Sequence, residues 1–96
     1  MLLAAVIACQ PAATLAPEAE KGRAVYQANC TACHNSDPAQ VGAVGPAVKG
    51  ASRDLLEARI VRGTYPPGYT PKRTTTLMVP LPQLAGDVDA LTAFLK

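Results

Sequence analysis

The sequence predicts a small all-α domain, because residues recur at helical spacing in three separate segments. These segments span residues 18–30, 52–63 and 87–95, and each opens with an acidic or capping side chain. A proline-rich stretch separates the second segment from the third, and its turn chemistry indicates a loop rather than a strand. At 96 residues, the chain is long enough for one such domain.

The first and last helices are expected to cross at close range. In the first helix, Gly22 and Tyr26 lie one turn apart on a single face, and the acidic residue Glu18 suits the positive end of the helix dipole. Glycine costs about 1 kcal/mol relative to alanine inside a helix, so Gly22 indicates the close approach of another element. The last helix offers that partner, because its large apolar residues share one stripe. These residues are Val88, Leu91, Phe94 and Leu95.

The stretch Cys30-Thr31-Ala32-Cys33-His34 has the spacing of a c-type haem attachment site. Thiols at positions i and i+3 of one helical turn lie on the same side and can add to the two vinyl groups of a haem as thioethers. The imidazole of His34 can then serve as the proximal iron ligand. The motif therefore predicts one covalently bound haem c, held by Cys30, Cys33 and His34.

Other sites that use two cysteines at this spacing lack their usual context here. A structural zinc site needs four ligands, but Cys9 is the one further thiol and the chain has a single histidine. A thioredoxin-like pair needs a βαβ pattern, whereas the residues around Cys30 and Cys33 follow helix and loop patterns. A redox pair or a disulfide between these two cysteines stays open as the alternative.

The middle helix is expected to begin after Ser52 as its N-cap and to end at Gly63, with its apolar side chains over the haem. Three arginines of this helix are expected on or near its solvated face, as ordinary surface charge. They are Arg53, Arg59 and Arg62. The stretch 65–71 that follows is expected to be a loop, from which Tyr65 or Tyr69 can reach a haem propionate.

The composition indicates that the domain needs the haem to fill its core. Aromatic residues make up 4% of the chain, with no tryptophan and one phenylalanine, so few bulky side chains are available. A haem is a large, flat, apolar group, and its burial would supply the missing interior. We therefore expect the haem-free chain to be largely unfolded. The net charge of +2 is too small to indicate binding to nucleic acid.

The first residues are expected to direct export. Residues 1–8 contain a short apolar run that suits a signal peptide and is too brief to span a bilayer. Val6-Ile7-Ala8-Cys9 resembles the lipobox of bacterial lipoproteins, which implies cleavage before Cys9 and a lipid on that cysteine. The run departs from most secretory signals because no Lys or Arg precedes it, and an ordinary cleaved signal is the alternative.

The predicted organisation is therefore a signal peptide at 1–8, a flexible tether at 9–17 and a folded domain at 18–96. The implied localisation is exported and periplasmic, with membrane anchoring through the lipid on Cys9. Export agrees with the haem motif, because c-type haem is attached outside the cytoplasm.

From residue 18 to residue 96, the chain resembles a class I cytochrome c. In that family an amino-terminal helix with a glycine and an aromatic residue packs across a carboxy-terminal helix with a leucine and an aromatic residue. Gly22 and Tyr26 match the first helix, and Leu91 and Phe94 match the second. The resemblance implies the small class I cytochrome c fold, with further helix and loops around one haem.

The resemblance also implies two further haem-site residues. A Gly-Pro follows the haem motif, as in the family, which implies that the Pro46 carbonyl accepts a hydrogen bond from His34. Met78 lies in the loop before the last helix and matches the methionine that ligates iron in the family, which implies His/Met ligation. The alternatives are an ordinary turn residue at position 46 and a packing residue at position 78.

The implied function is that of a one-electron carrier rather than an enzyme, because a six-coordinate iron has no open position for substrate. Its partners are expected to be a redox donor and a redox acceptor, bound transiently and steered by a mild basic rim. That rim would consist of Lys49, Lys72 and Arg73. Two other functions stay open: a haem-based gas or redox sensor with a dissociable Met78, and a cytochrome subunit of a larger oxidoreductase complex.

Overall fold

The computed structural model of the protein describes residues 15–96, and this part of the chain is helical, without any strand. The all-α prediction is therefore confirmed. The signal peptide at 1–8, most of the tether at 9–17 and the lipid site at Cys9 lie outside the described residues. The helices in chain order are α1 (Pro17–Asn29), α2 (Arg53–Leu56), a π-helix (Glu57–Arg62), a 3-10 helix (Pro82–Asp87) and α3 (Val88–Leu95). None of the described helices is both long and apolar enough to cross a membrane.

Helices α1 and α3 cross as the sequence predicts, and their crossing is the most extensive helix–helix contact. Gly22 is buried there, and a Cβ on it would lie 2.9 Å from the Cβ of Phe94 and closer still to the carbonyl of Ala90. The rings of Tyr26 and Phe94 pack with their centroids 5.5 Å apart. Leu91 is buried in the core. The backbone closest to Gly22 belongs to Ala90, a residue that no sequence pattern singled out.

The middle helix begins and ends at the predicted residues. The Ser52 side chain accepts a hydrogen bond from the Leu55 N–H at 3.1 Å, and Gly63 ends the helix in the left-handed conformation with φ of 69°. The second half, Glu57–Arg62, is a π-helix, in which backbone bonds run from i to i+5 and the side-chain faces rotate relative to an α-helix.

The structure corrects the expectation that all three arginines are surface charge. Arg53 is exposed and pairs with Asp89 of α3 at 2.6 Å and with Glu57 at 2.7 Å. Arg59 is instead half-buried and turned into the interior cavity, where its guanidinium lies 4.2 Å from the centre of the Tyr65 ring. Arg59 follows Leu55 by four residues and Leu56 by three, so helical spacing places it on the same face as these two cavity-lining leucines.

A long loop joins the π-helix to the 3-10 helix and closes one side of the core. It ends at Leu81, whose N–H donates to the Ile60 carbonyl at 2.6 Å. The core itself combines residues of all five helices. Its buried members are Tyr26, Leu56, Ile60, Leu84, Val88, Leu91 and Leu95.

Candidate haem site

A cavity of about 610 Å³ opens beside this core, and most of its lining is apolar. Leu56 and Ile60 line it from the middle helix, and Leu91 and Leu95 line it from α3. Its volume is in the range that protein cavities offer to a small cofactor. Side chains of the core therefore also form one wall of this cavity.

The haem motif lies directly at the end of α1. The Cys30 N–H donates to the Tyr26 carbonyl, and the N–H groups of Cys33 and His34 return to the Cys30 carbonyl at 3.3 and 2.9 Å. This hydrogen-bonded turn brings both sulfurs and the imidazole to the cavity wall. Both cysteines are free thiols, Cys30 half-buried and Cys33 exposed, and burial raises the pKa of the Cys30 thiol.

The imidazole of His34 is held through one of its two nitrogens. Its Nδ1 lies 2.9 Å from the Pro46 carbonyl, and a carbonyl can only accept, so Nδ1–H donates. Nε2 then keeps its lone pair for a metal. Gly45 packs against the ring, since a Cβ there would lie 2.6 Å from Nδ1, and its N–H donates to the Cys33 carbonyl at 2.9 Å. The glycine thus lets the Pro46 carbonyl approach the histidine.

Tyr26 has a second role that the sequence pattern did not reveal. Its hydroxyl donates to the Asn35 carbonyl at 2.5 Å, which ties the loop after the motif back to α1. Burial raises the pKa of Tyr26 to about 12, so the phenol remains a donor at neutral pH. No spacing rule indicates this bond, because its acceptor is a backbone carbonyl in a loop.

Met78 lines the same cavity as His34. It is partly buried and packs against the core, whereas its neighbours Leu77 and Val79 are 66% and 70% exposed. The structure therefore brings all five predicted haem-site residues of the described chain to one cavity. They are Cys30, Cys33, His34, Pro46 and Met78.

The charged residues that line the cavity are all basic. They are Lys49, Arg59, Lys72 and Arg73. No Asp or Glu of the described chain joins them, and none of the four takes part in the ion pairs of residues 15–96. Tyr65 and Tyr69 also line the cavity and stack with centroids 5.5 Å apart, beneath the Arg59 guanidinium. The cavity thus combines an apolar wall with a positive border that suits carboxylates.

These residues fit a haem rather than a bare metal ion. Within residues 15–96, no group of three or more His, Cys, Asp or Glu side chains could hold a metal by protein ligands alone. A single imidazole on an apolar cavity would suit an iron that receives most of its ligands from its own macrocycle. The two thiols suit covalent attachment, and the basic border suits the two propionates of a haem.

The comparison with protein families agrees with this geometry. The family model for cytochrome c oxidase, cbb3-type, subunit III matches residues 17–80, which is two thirds of the chain. No curated protein and no solved structure matches this chain. The matched range includes the haem motif, Pro46 and Met78. Helix α3 lies beyond this range and packs across α1. The chain therefore belongs to the cytochrome c oxidase, cbb3-type, subunit III family: it is a class I c-type cytochrome that carries covalently attached haem c and serves haem-based electron transfer.

Proposed function

We propose that the protein is a one-electron carrier and not itself an enzyme, with its haem iron ligated by His34 and Met78. The haem supplies a reversible one-electron iron couple. The observation that carries the proposal is that both side chains line one cavity, with His34 Nδ1 already engaged by Pro46.

Each of these residues contributes to the carrier role in a defined way. The bond to Pro46 fixes the imidazole tautomer and raises its basicity, which strengthens it as a ligand. A thioether at Met78 would favour the reduced state of a bound haem and would leave its iron no open position for an external ligand. With haem filling the cavity, the apolar wall would limit the access of water, so little reorganisation would accompany a change in charge.

Substituting Met78 by alanine tests the ligand assignment. We expect loss of the weak far-red sulfur-to-iron band, binding of carbon monoxide by the reduced protein, and a lower reduction potential. A tenfold loss of preference for the reduced state corresponds to about 59 mV for a one-electron couple. Thr76→Ala is the control, because Thr76 is an exposed residue of the same loop that does not line the cavity and should leave band and potential unchanged.

Carbon monoxide binding also distinguishes a carrier from a sensor. Wild-type protein that binds carbon monoxide readily would support a haem-based sensor with a dissociable Met78. Unchanged spectra and potential in Met78→Ala would remove Met78 from the ligand set.

A second candidate is a cytochrome subunit of a membrane oxidase, which the description of the matched family favours. Such a subunit would remain with its complex, whereas a free carrier would separate from it. Size-exclusion chromatography of detergent-solubilised membranes distinguishes the two. Elution of this chain's haem c only at the mass of the single chain would contradict the subunit role.

We further propose that the protein is exported to the periplasm by a signal peptide at 1–8 and anchored to the membrane by a lipid on Cys9. The lipobox-like stretch supports this, and c-type haem attachment outside the cytoplasm requires export. The intact mass of the mature protein provides the test. A mass equal to an unmodified chain that still includes residues 1–8 would contradict the proposal.

The redox partner is proposed to present an acidic face to the cavity mouth, because the lining charges are all basic. We expect Lys72→Glu to slow electron transfer to a small anionic oxidant severalfold at low ionic strength, and the difference to shrink as salt is added. Lys21→Glu is the matched control, since Lys21 carries the same charge but does not line the cavity. Equal rates for the two variants would contradict the proposal.

A further inference from the structure

The loop that carries Met78 is attached to the rest of the protein at only a few points. Within the described chain, residues 74–80 make no hydrogen bond. On the amino-terminal side, the nearest link is the exposed Lys72, whose Nζ donates to the Ala47 carbonyl at 3.0 Å. On the carboxy-terminal side, both links lead to the end of the π-helix. Apart from the packing of the Met78 side chain against the core, the loop around Met78 is therefore positioned mainly from that end.

The first of these links is the hydrogen bond from the Leu81 N–H to the Ile60 carbonyl, at 2.6 Å. The N–H groups of Gly63 and Thr64 both donate to the Ala58 carbonyl, five and six residues back. The Ile60 carbonyl is thereby left for a donor outside the helix, which a helix end needs. The π-helix thus provides the acceptor that holds the loop.

The second link is the contact between Gly63 and Pro80. A Cβ on Gly63 would lie 2.7 Å from Cγ of Pro80, well inside the 3.4 Å where ordinary contact begins. The proline ring therefore packs directly on the glycine backbone. Because φ of Gly63 is 69°, glycine also serves the turn itself.

We propose that Gly63 and Pro80 form a clamp that positions Met78 as a haem ligand. The inference rests on the proposed function, in which Met78 ligates iron. A side chain at position 63 would push the proline ring by roughly 0.7 Å, the difference between 2.7 and 3.4 Å. Met78 is two residues away, and a functional group must be held within about 0.5 Å of its working position. Gly63 and Pro80 are thus positioning residues that act through Met78.

The test compares Gly63→Ala with Gly68→Ala in the haem-loaded protein. Gly68 has φ of 82° and nothing within 4 Å of its added Cβ, so it reports the backbone strain without the clash. We expect both variants to melt at a lower temperature than wild type, and Gly63→Ala to be lowered more because it adds the contact with Pro80 to the same backbone strain. Only Gly63→Ala should lose the far-red sulfur-to-iron band, and it should bind carbon monoxide in the reduced state at least tenfold faster than wild type.

A double-mutant cycle distinguishes the clamp from general loosening. In a Pro80→Ala background the ring that meets the new Cβ is gone, so Gly63→Ala should change the carbon monoxide rate less than twofold. Should Gly63→Ala give no haem protein, Pro80→Ala is compared with Pro82→Ala, and a faster rate is expected only in Pro80→Ala.

Several outcomes would overturn the clamp. Equal far-red bands and equal carbon monoxide rates in Gly63→Ala and Gly68→Ala would do so. A full tenfold effect of Gly63→Ala on the carbon monoxide rate in the Pro80→Ala background would also do so. Equal rates in Pro80→Ala and Pro82→Ala would do the same. If the wild-type protein lacks the far-red band and Met78→Ala changes nothing in its spectrum, the proposed ligation by Met78 fails as well. If the wild-type band is present, only the clamp fails.

Discussion

A Gly22→Ala variant is expected to lose about 2 kcal/mol or more of its free energy of unfolding. Alanine gains about 1 kcal/mol over glycine in helix propensity, which favours the variant. The added Cβ, however, would lie 2.6 Å from the Ala90 carbonyl carbon and 2.9 Å from the Phe94 Cβ. These atoms belong to the backbone and the first side-chain carbon of α3, so they move only if the helices separate. The steric cost should therefore exceed the gain in propensity.

Urea unfolding of the haem protein measures this effect. Gly86→Ala is the matched control, because Gly86 has a negative φ and open space around an added Cβ. There the same substitution should be neutral or stabilise by up to about 1 kcal/mol. If Gly22→Ala is as stable as Gly86→Ala, the crossing of α1 and α3 is not as close as the structure has it.

The largest effect is expected from removal of the haem. An empty cavity costs about 24 cal/mol per Å³, which for about 610 Å³ gives an upper bound of about 15 kcal/mol. The cavity is open to water, so the true cost is smaller. A cost of only one third of this upper bound is about 5 kcal/mol, which equals the whole free energy of unfolding of a marginally stable small protein. We therefore expect the haem-free chain to have no cooperative melting transition.

Circular dichroism and calorimetry of a Cys30→Ala/Cys33→Ala chain, purified without haem, test this expectation. Added haem is the control, because His34 is retained and haem binding should restore helical signal in proportion to occupancy. A compact haem-free chain with a sharp heat-absorption peak would show that the protein side chains alone form a sufficient core.

Sequence patterns predicted the local parts of the site because those parts depend on neighbours along the chain. Cys30, Cys33 and His34 come to one cavity since a single hydrogen-bonded turn spans them. The ends of the middle helix were equally predictable, because Ser52 caps its first turn and Gly63 takes the left-handed conformation that ends it.

Contacts between distant segments were only partly predictable. A glycine within α1 indicated close approach, but not that the Ala90 backbone would be the neighbour, since this depends on the rotation of α3 about its axis. Arg59 was expected in solvent because it is charged, although it follows Leu55 by four residues and Leu56 by three and so shares their face. Its guanidinium lies over the Tyr65 ring, a contact with a later loop that helical spacing does not indicate.

The sequence by itself therefore determined the cofactor and the helical class and predicted the attachment residues, because covalent spacing and helix periodicity are local properties of the chain. Only the tertiary structure decided which carbonyl accepts the Leu81 N–H, that Pro80 packs on Gly63, and that Arg59 joins the predicted basic residues at the cavity. These features join residues far apart in sequence, and their geometry follows from the path of loops, which no local period encodes.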